Sequence, residues 1–264
     1  MTSTNKNPIG IFDSGVGGTS IWKEIQQLLP NENTIYLADS KHAPYGQKSK
    51  DEIINLSIKN TEYLLNKNCK LIVVACNTAT TNAISYLREK YNIPFIGIEP
   101  AIKPASLQTT TNNIGILATK GTLNSQLFAT TANKLNNGIN IIEQVGEGLV
   151  ELIEDDQRDS LKMTQLLENH LSVFLKFNID YLVLGCTHYP YLIPQIQKII
   201  GNKIKIIDSG QAVAKQTKRV LEKNELLNFN SENRFHQFYT NTHQETLQNL
   251  LATYPKASID YLDF

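Results

Sequence analysis

The sequence predicts an α/β protein built of two similar lobes, each a mainly parallel sheet flanked by helices, with a site in the cleft between them. Three observations carry this. Short apolar runs alternate with helix-spaced segments almost throughout the chain, the pattern of parallel strands joined by crossover helices. Two of the apolar runs, LIVVAC (71–76) and LVLGC (182–186), are continuous rather than alternating, as in strands buried on both faces, and both end in a cysteine. FDSG at 12–15 returns as IDSG at 207–210. Two facing lobes explain both echoes.

Taken in order, PIGIFDSG is a short strand ending in turn residues, and TSIWKEIQQLLP is a helix stopped at Pro30. TIYLAD is the next strand. Ser49, Lys50, Asp51 and Glu52 have the form of a capping box. The helix it opens is expected to bury Ile54, Ile58 and Leu65 on one face. LIVVAC is followed by a helix over TTNAISYLREKY, with Ile84, Leu87 and Tyr91 on one stripe, and by the strand PFIGIEP. The alternation then restarts with the strand NIGILAT, the helix NSQLFATTANKL and the strand INIIEQV. A long helical stretch from Gly148 to Lys176 breaks near Asp155–Arg158. The strand IDYLVLGC, the helix LIPQIQKIIG and the strand IKIIDSG follow. A helix over Gln211–Lys223, a strand near FHQFYT, a helix from about Gln244 and a last strand SIDYLDF close the chain. The expected division places residues 1–99 with 210–264 in a discontinuous first domain and residues 100–209 in a second.

Lysine plus arginine and aspartate plus glutamate number 25 each, so formal net charge is zero. That excludes the basic excess of a general nucleic-acid binder. No apolar run approaches the roughly 18 residues of a membrane span, and the polar N-terminus lacks a signal-peptide core. The expectation is a cytoplasmic protein whose partner is a small molecule, with neither nucleic acid as substrate nor membrane. Three cysteines, Cys69, Cys76 and Cys186, read as free thiols rather than a disulfide framework.

In an open parallel sheet, ligands bind beyond the carboxyl ends of the strands. Asp13, Cys76, Thr119 and Cys186 all fall at such ends. DSGVGGTS at 13–20 has the look of a phosphate-cradling loop but lacks the lysine of a P-loop, and as a turn it needs only Asp13 and Ser14 as caps. Cys69 reads as a packed apolar residue. Cys76 and Cys186 each precede a polar turn and a helix start, where free N–H groups and the helix dipole are expected to lower a thiol pKa from its usual value of about 8.5. Cys186 and His188 could supply two metal ligands, yet no further zinc-spaced residues accompany them, so no metal is expected. As a pair at matched strand ends, Cys76 and Cys186 read as functional residues rather than packing. A cysteine hydrolase, which uses one thiol as nucleophile, and a non-catalytic amino-acid-binding protein remain open, though neither needs the second thiol.

GIFDSGVGG, PYG, ACNTAT, IGILATKGT and LGCTHYPYL, in this order, resemble the family of cofactor-independent glutamate racemases, over most of the chain from about Ile9. The wider amino-acid racemase group, aspartate racemases included, also carries two strand-end cysteines, and CTH at the second points towards glutamate. The resemblance implies interconversion of L- and D-glutamate without a cofactor, in service of peptidoglycan synthesis. It implies that Cys76 deprotonates D-glutamate and Cys186 deprotonates L-glutamate, since one base on one face cannot readily both remove and return the α-proton. By motif position, Asp13 assists Cys76 and His188 assists Cys186. Ser14, Tyr45, Gly46, Asn77, Thr78, Thr119 and Thr187, with Asp13 and His188, resemble substrate contacts. Glu154 resembles the acidic partner of the histidine, with Glu151 as the alternative alignment. His42, unusual before PYG, receives no role. Members of the family differ in dimer arrangement and some answer to a peptidoglycan precursor, so a homodimer and such a regulator are both left open by the sequence.

Overall fold

The β-rich first segment Ile9–Asp13 is buried at every position, as expected for a strand covered on both faces. The computed structural model describes residues 4–135, 138–230 and 234–264. Strand β1 (Ile9–Asp13) leads through α1 (Thr19–Leu28), β2 (Thr34–Ala38), α2 (Lys50–Asn66), β3 (Leu71–Val74) and α3 (Asn77–Lys90) to β4 (Phe95–Gly97). There follow α4 (Ile102–Gln108), β5 (Asn113–Ala118), α5 (Lys120–Leu123), α6 (Gln126–Lys134), β6 (Asn140–Val145), α7 (Leu149–Glu154), α8 (Leu161–Lys176), β7 (Tyr181–Gly185), α9 (Ile193–Ile200) and β8 (Lys205–Ile207). The chain ends with α10 (Gly210–Lys223), β9 (His236–Thr240), α11 (Glu245–Leu251) and β10 (Ala257–Tyr261).

The strands form two sheets, ordered β10-β9-β2-β1-β3-β4 and β6-β5-β7-β8, and every pairing is parallel. The tail strands β9 and β10 therefore extend the sheet begun at the N-terminus. Trp22 of α1 fastens them: its indole meets Phe238 and Tyr254 edge-on at 4.8 and 4.9 Å, and Nε1 donates to Thr34 Oγ1 at 2.9 Å. Such aromatic pairs contribute about 1 kcal/mol each beyond area burial. One apolar cluster runs from Ile11, Val73 and Phe238 of the first sheet through Leu149 and Ile153 to Leu117, Leu182 and Leu184 of the second.

Local chemistry explains the boundaries. Glu52 N donates to Ser49 Oγ and Ser49 N to Glu52 Oε2, completing the expected capping box of α2. Asp156, at φ 55°, ends α7, and Ser160 caps α8 through Met163 N. Two expectations change. The inner stripe of α2 is Ile53, Ser57, Asn60, Thr61 and Leu64, while Ile54, Ile58 and Leu65 flank it half-buried. Polar residues hide that stripe in the sequence, because Ser57 bonds its own helix at Ile53 O and Asn60 reaches Tyr45 Oη. Helix α4 falls in a stretch to which the sequence reading assigned no element; its Pro104 lies in the first helical turn, where the missing N–H has no intrahelical partner to lose.

Candidate active site

Neighbouring strands bring the chemistry together. β1 lies between β2 and β3, so Asp13, Ser14 and Cys76 emerge side by side at one sheet's carboxyl edge. β5 pairs with β7, so Thr119 and Cys186 do the same in the other sheet. Between them is a small, narrow cavity lined by Ser14, Tyr45, Gly46, Cys76, Asn77, Thr78, Thr119, Cys186, Thr187 and His188, together with Pro44, Val150 and Gly185. Ten of the twelve site residues expected from the sequence thus share one cavity. Asp13 and Glu154 stand behind it, each in contact with a lining residue. Among the described residues, no cluster of three or more His, Cys, Asp or Glu side chains is placed to hold a metal ion.

Cys76 is the N-cap of α3. Its Sγ accepts from Ala79 N at 3.4 Å and donates to Ser14 Oγ at 3.6 Å. The helix start was expected to lower its pKa. Instead burial dominates and pushes the thiol up, aided by the charge of Asp13 and, less, of Cys186; the Ala79 and Ser14 hydrogen bonds only offset this. Burial thus favours the neutral thiol at Cys76. Asp13 is wholly buried, and burial raises its pKa to about 6 against the opposing charge of His188 and the Gly18 N–H bond of 2.8 Å. Thr187 Oγ1 reaches Asp13 Oδ1 from the opposite lobe at 3.4 Å.

Cys186 Sγ lies 3.7 Å from His188 Nδ1, and His188 Nε2 lies 2.5 Å from Glu154 Oε1. Burial alone would strip the imidazole of its proton. The hydrogen bonds and charges of Cys186 and Glu154 outweigh it, so the His188 pKa stands well above the ordinary histidine value. The imidazole is thus held between the Cys186 sulfur and the Glu154 carboxylate. Glu151, the alternative alignment, points elsewhere: it accepts from Gln47 Nε2 at 2.8 Å on the exposed rim.

The walls join both lobes. Thr78 Oγ1 meets Thr119 Oγ1 at 2.8 Å, and Ser20 Oγ donates to Thr187 O at 2.8 Å. Tyr45 is fixed from behind by donating to Asp39, which also receives Asn241 Nδ2 at 2.6 Å and contacts His42 Nδ1 at 2.6 Å. His42 thus props the Tyr45 loop. Asn77 differs from all these, because its Nδ2 and Oδ1 are buried without a hydrogen-bond partner. A buried amide in that condition is costly unless something supplies donors and acceptors. Sequence reasoning missed Pro44, Val150 and Gly185 as lining, and Ser40 and Asn241 as supports; the first three are apolar or backbone surfaces without a chemical signature.

Residues 9–217 match the family model for Asp/Glu/Hydantoin racemase. The glutamate racemase of Ectopseudomonas mendocina is 45% identical over 221 residues, spanning 83% of this chain and 84% of that protein. The crystal structure of the glutamate racemase isoform RacE1 from Bacillus anthracis superposes with a TM-score of 0.88 at 31% identity, covering 98% of each chain. The Escherichia coli glutamate racemase, solved with L-glutamate and the activator UDP-MurNAc-ala, gives 0.86 at 31% identity over 97% of this chain and 98% of that one. With its two parallel sheets and its sequence matched over most of their length, the chain belongs to the Asp/Glu/hydantoin racemase family.

Proposed function

We propose that this protein interconverts L- and D-glutamate by a two-thiol acid–base mechanism that uses no cofactor. The observation that carries the proposal is the convergence of Cys76 and Cys186, from two different sheets, on one small cavity. For L-glutamate, the Cys186 thiolate takes the α-proton and the electron pair remains on Cα, delocalised into the carboxylate. The Cys76 thiol then gives its proton to the opposite face. One proton leaves and one arrives, and the two sulfurs exchange thiol and thiolate roles; D-glutamate runs the sequence in reverse. Asp13 assists at Cys76, and His188, held by Glu154, assists at Cys186. Exclusion of water from the cavity strengthens each polar contact to the developing carbanion. The unpartnered Asn77 amide, with Ser14, Thr78, Thr119, Thr187, Tyr45 and Gly46, holds the substrate's carboxylates and ammonium.

The division into a domain of residues 1–99 plus 210–264 and one of 100–209 belongs to this reading: the substrate is enclosed where the two meet. Supply of D-glutamate for peptidoglycan in the cytoplasm is its cellular setting, supported by the names of the relatives and the three free thiols. A homodimer and activation by a peptidoglycan precursor extend it, the latter supported by the activator of the E. coli relative; sedimentation and assays with UDP-MurNAc-ala test them. An aspartate racemase would share the thiol pair, and a substrate panel separates the two.

The decisive experiment is α-proton exchange in deuterated water with each glutamate enantiomer. Wild type incorporates deuterium into the product enantiomer, and Cys76→Ser and Cys186→Ser each abolish racemisation. Full racemisation by either variant refutes the two-thiol mechanism.

A further inference from the structure

The Glu154 carboxylate receives three bonds that divide unequally. Its Oε1 takes Val16 N at 2.7 Å and His188 Nε2 at 2.5 Å. Its Oε2 takes Ser40 Oγ at 2.6 Å, and among the described residues no other donor reaches it. The terminal torsion of a glutamate is broad and roughly two-fold, so bonds to one oxygen alone still leave the carboxylate plane some freedom to tilt. A donor on the second oxygen removes that freedom. Thr246 Oγ1 bonds only the Glu154 carbonyl and does nothing for the plane.

Ser40 is well placed to be rigid. It opens the short 3-10 turn Ser40–His42 directly after Asp39, which Tyr45, Asn241 and His42 hold in place. That turn belongs to the first sheet's edge, whereas Glu154 ends α7 beside the second sheet, so the bond crosses the cleft. The backbone makes room for it: a Cβ on Gly15 would lie 1.9 Å from Glu154 Oε1.

We propose that Ser40 is a positioning residue for the Cys186 half of the site, its hydroxyl holding the Glu154 carboxylate in the one rotation that presents Oε1 to His188. The proposal rests on the reading of Cys186, His188 and Glu154 as an acid–base unit. Ser40 touches neither substrate nor thiol and acts through two intermediaries. Because the bond spans the cleft, the unit is complete only when the two sheets are closed on each other.

The test compares Ser40→Ala and Ser40→Thr with wild type. Loss of one charge-assisted bond lowers kcat/KM about tenfold in Ser40→Ala. The fall is equal in both directions, since the equilibrium constant between enantiomers is unity. Ser40→Thr, which keeps the hydroxyl, recovers most of it. A role confined to the Cys186 side makes proton transfer at that sulfur slower. The primary isotope effect in Ser40→Ala therefore rises with α-deuterated L-glutamate, whose C–D bond Cys186 breaks, and does not rise with the D-enantiomer. Unchanged kinetics, equal changes in the two isotope effects, or no recovery in Ser40→Thr overturns the assignment. His188→Asn run alongside separates the levels: if it is inactive while Ser40→Ala is normal, only the role of Ser40 falls, whereas an active His188→Asn overturns the acid–base reading itself.

Discussion

Replacing Asp13 with asparagine isolates the cost of an ionised carboxylate at the centre of the fold. Asp13 is 0% exposed, and burial raises its pKa from 3.8 to about 6. The folded chain therefore binds this proton more tightly than the unfolded chain does. Below about pH 4 both states carry the proton and the difference vanishes. As pH rises from about 4 to about 6, the unfolded chain releases the proton first, so the contribution of Asp13 to stability falls across that window. Above about pH 6 the loss is complete, and the separation of the two values corresponds to roughly 3 kcal/mol. Asparagine keeps an acceptor for Gly18 N and a similar volume but never ionises. The variant is thus expected to match wild type near pH 4 and to exceed its stability by up to about 3 kcal/mol near pH 8, while losing activity, as residues held at a stability cost for function commonly do. Urea unfolding followed by circular dichroism across that range measures the difference directly. An offset that is constant with pH, or a variant less stable than wild type above pH 6, refutes the argument that burial dominates at Asp13.

Asn77→Ala is expected to raise KM about tenfold or more while leaving stability unchanged or improved by about 1 kcal/mol, because the amide it removes is buried without a partner; thermal melts and steady-state kinetics check both halves. Gly17→Ala places a Cβ 2.2 Å from His188 Nδ1, so the ring must shift, and kcat is expected to fall about 100-fold with the fold retained. Lys70→Met acts at the opposite end of the first sheet: Lys70 Nζ lies 2.5 Å from Glu32 Oε2 with both side chains at most 2% exposed, so the variant leaves a buried carboxylate short of its partner. Stability is expected to fall by about 3–5 kcal/mol in urea unfolding, with kcat of the folded enzyme unchanged.

What was legible in the sequence follows from what a chain must state locally. The strands were readable because double burial leaves no polar residue in Leu71–Val74 and Ile9–Phe12, and the cysteines because they follow such runs at a fixed place. Helix α2 was misread on its inner face because buried polar residues occupy it: Ser57 is satisfied by its own helix, and Asn60 finds Tyr45 only in three dimensions. The thiol pKa of Cys76 was misjudged for a related reason: the helix start is visible in the sequence, but the burial that outweighs it depends on packing with residues distant along the chain, such as Phe12, Leu37 and Tyr45.

The supporting residues show the same logic more sharply. Ser40 and Glu154 are 114 positions apart, and Asp39 and Asn241 are 202 apart. A serine after a strand is, by itself, a turn residue, and an asparagine in a tail is a loop residue. Each gains its partner only because parallel topology returns the tail to β2 and brings α7 against the turn after β2. The residues proposed to react are announced by chemical type, two thiols and an imidazole. The residues that aim them are ordinary hydroxyls and amides, distinguished by what they face. That asymmetry is physical: a reacting group must have a particular pKa and nucleophilicity, whereas an aiming group needs only a donor or acceptor at a particular place. On the proposed reading it also concentrates the burden of specificity on the cleft-crossing contacts, so that removing one hydroxyl at Ser40 is expected to alter the chemistry at Cys186 without touching it.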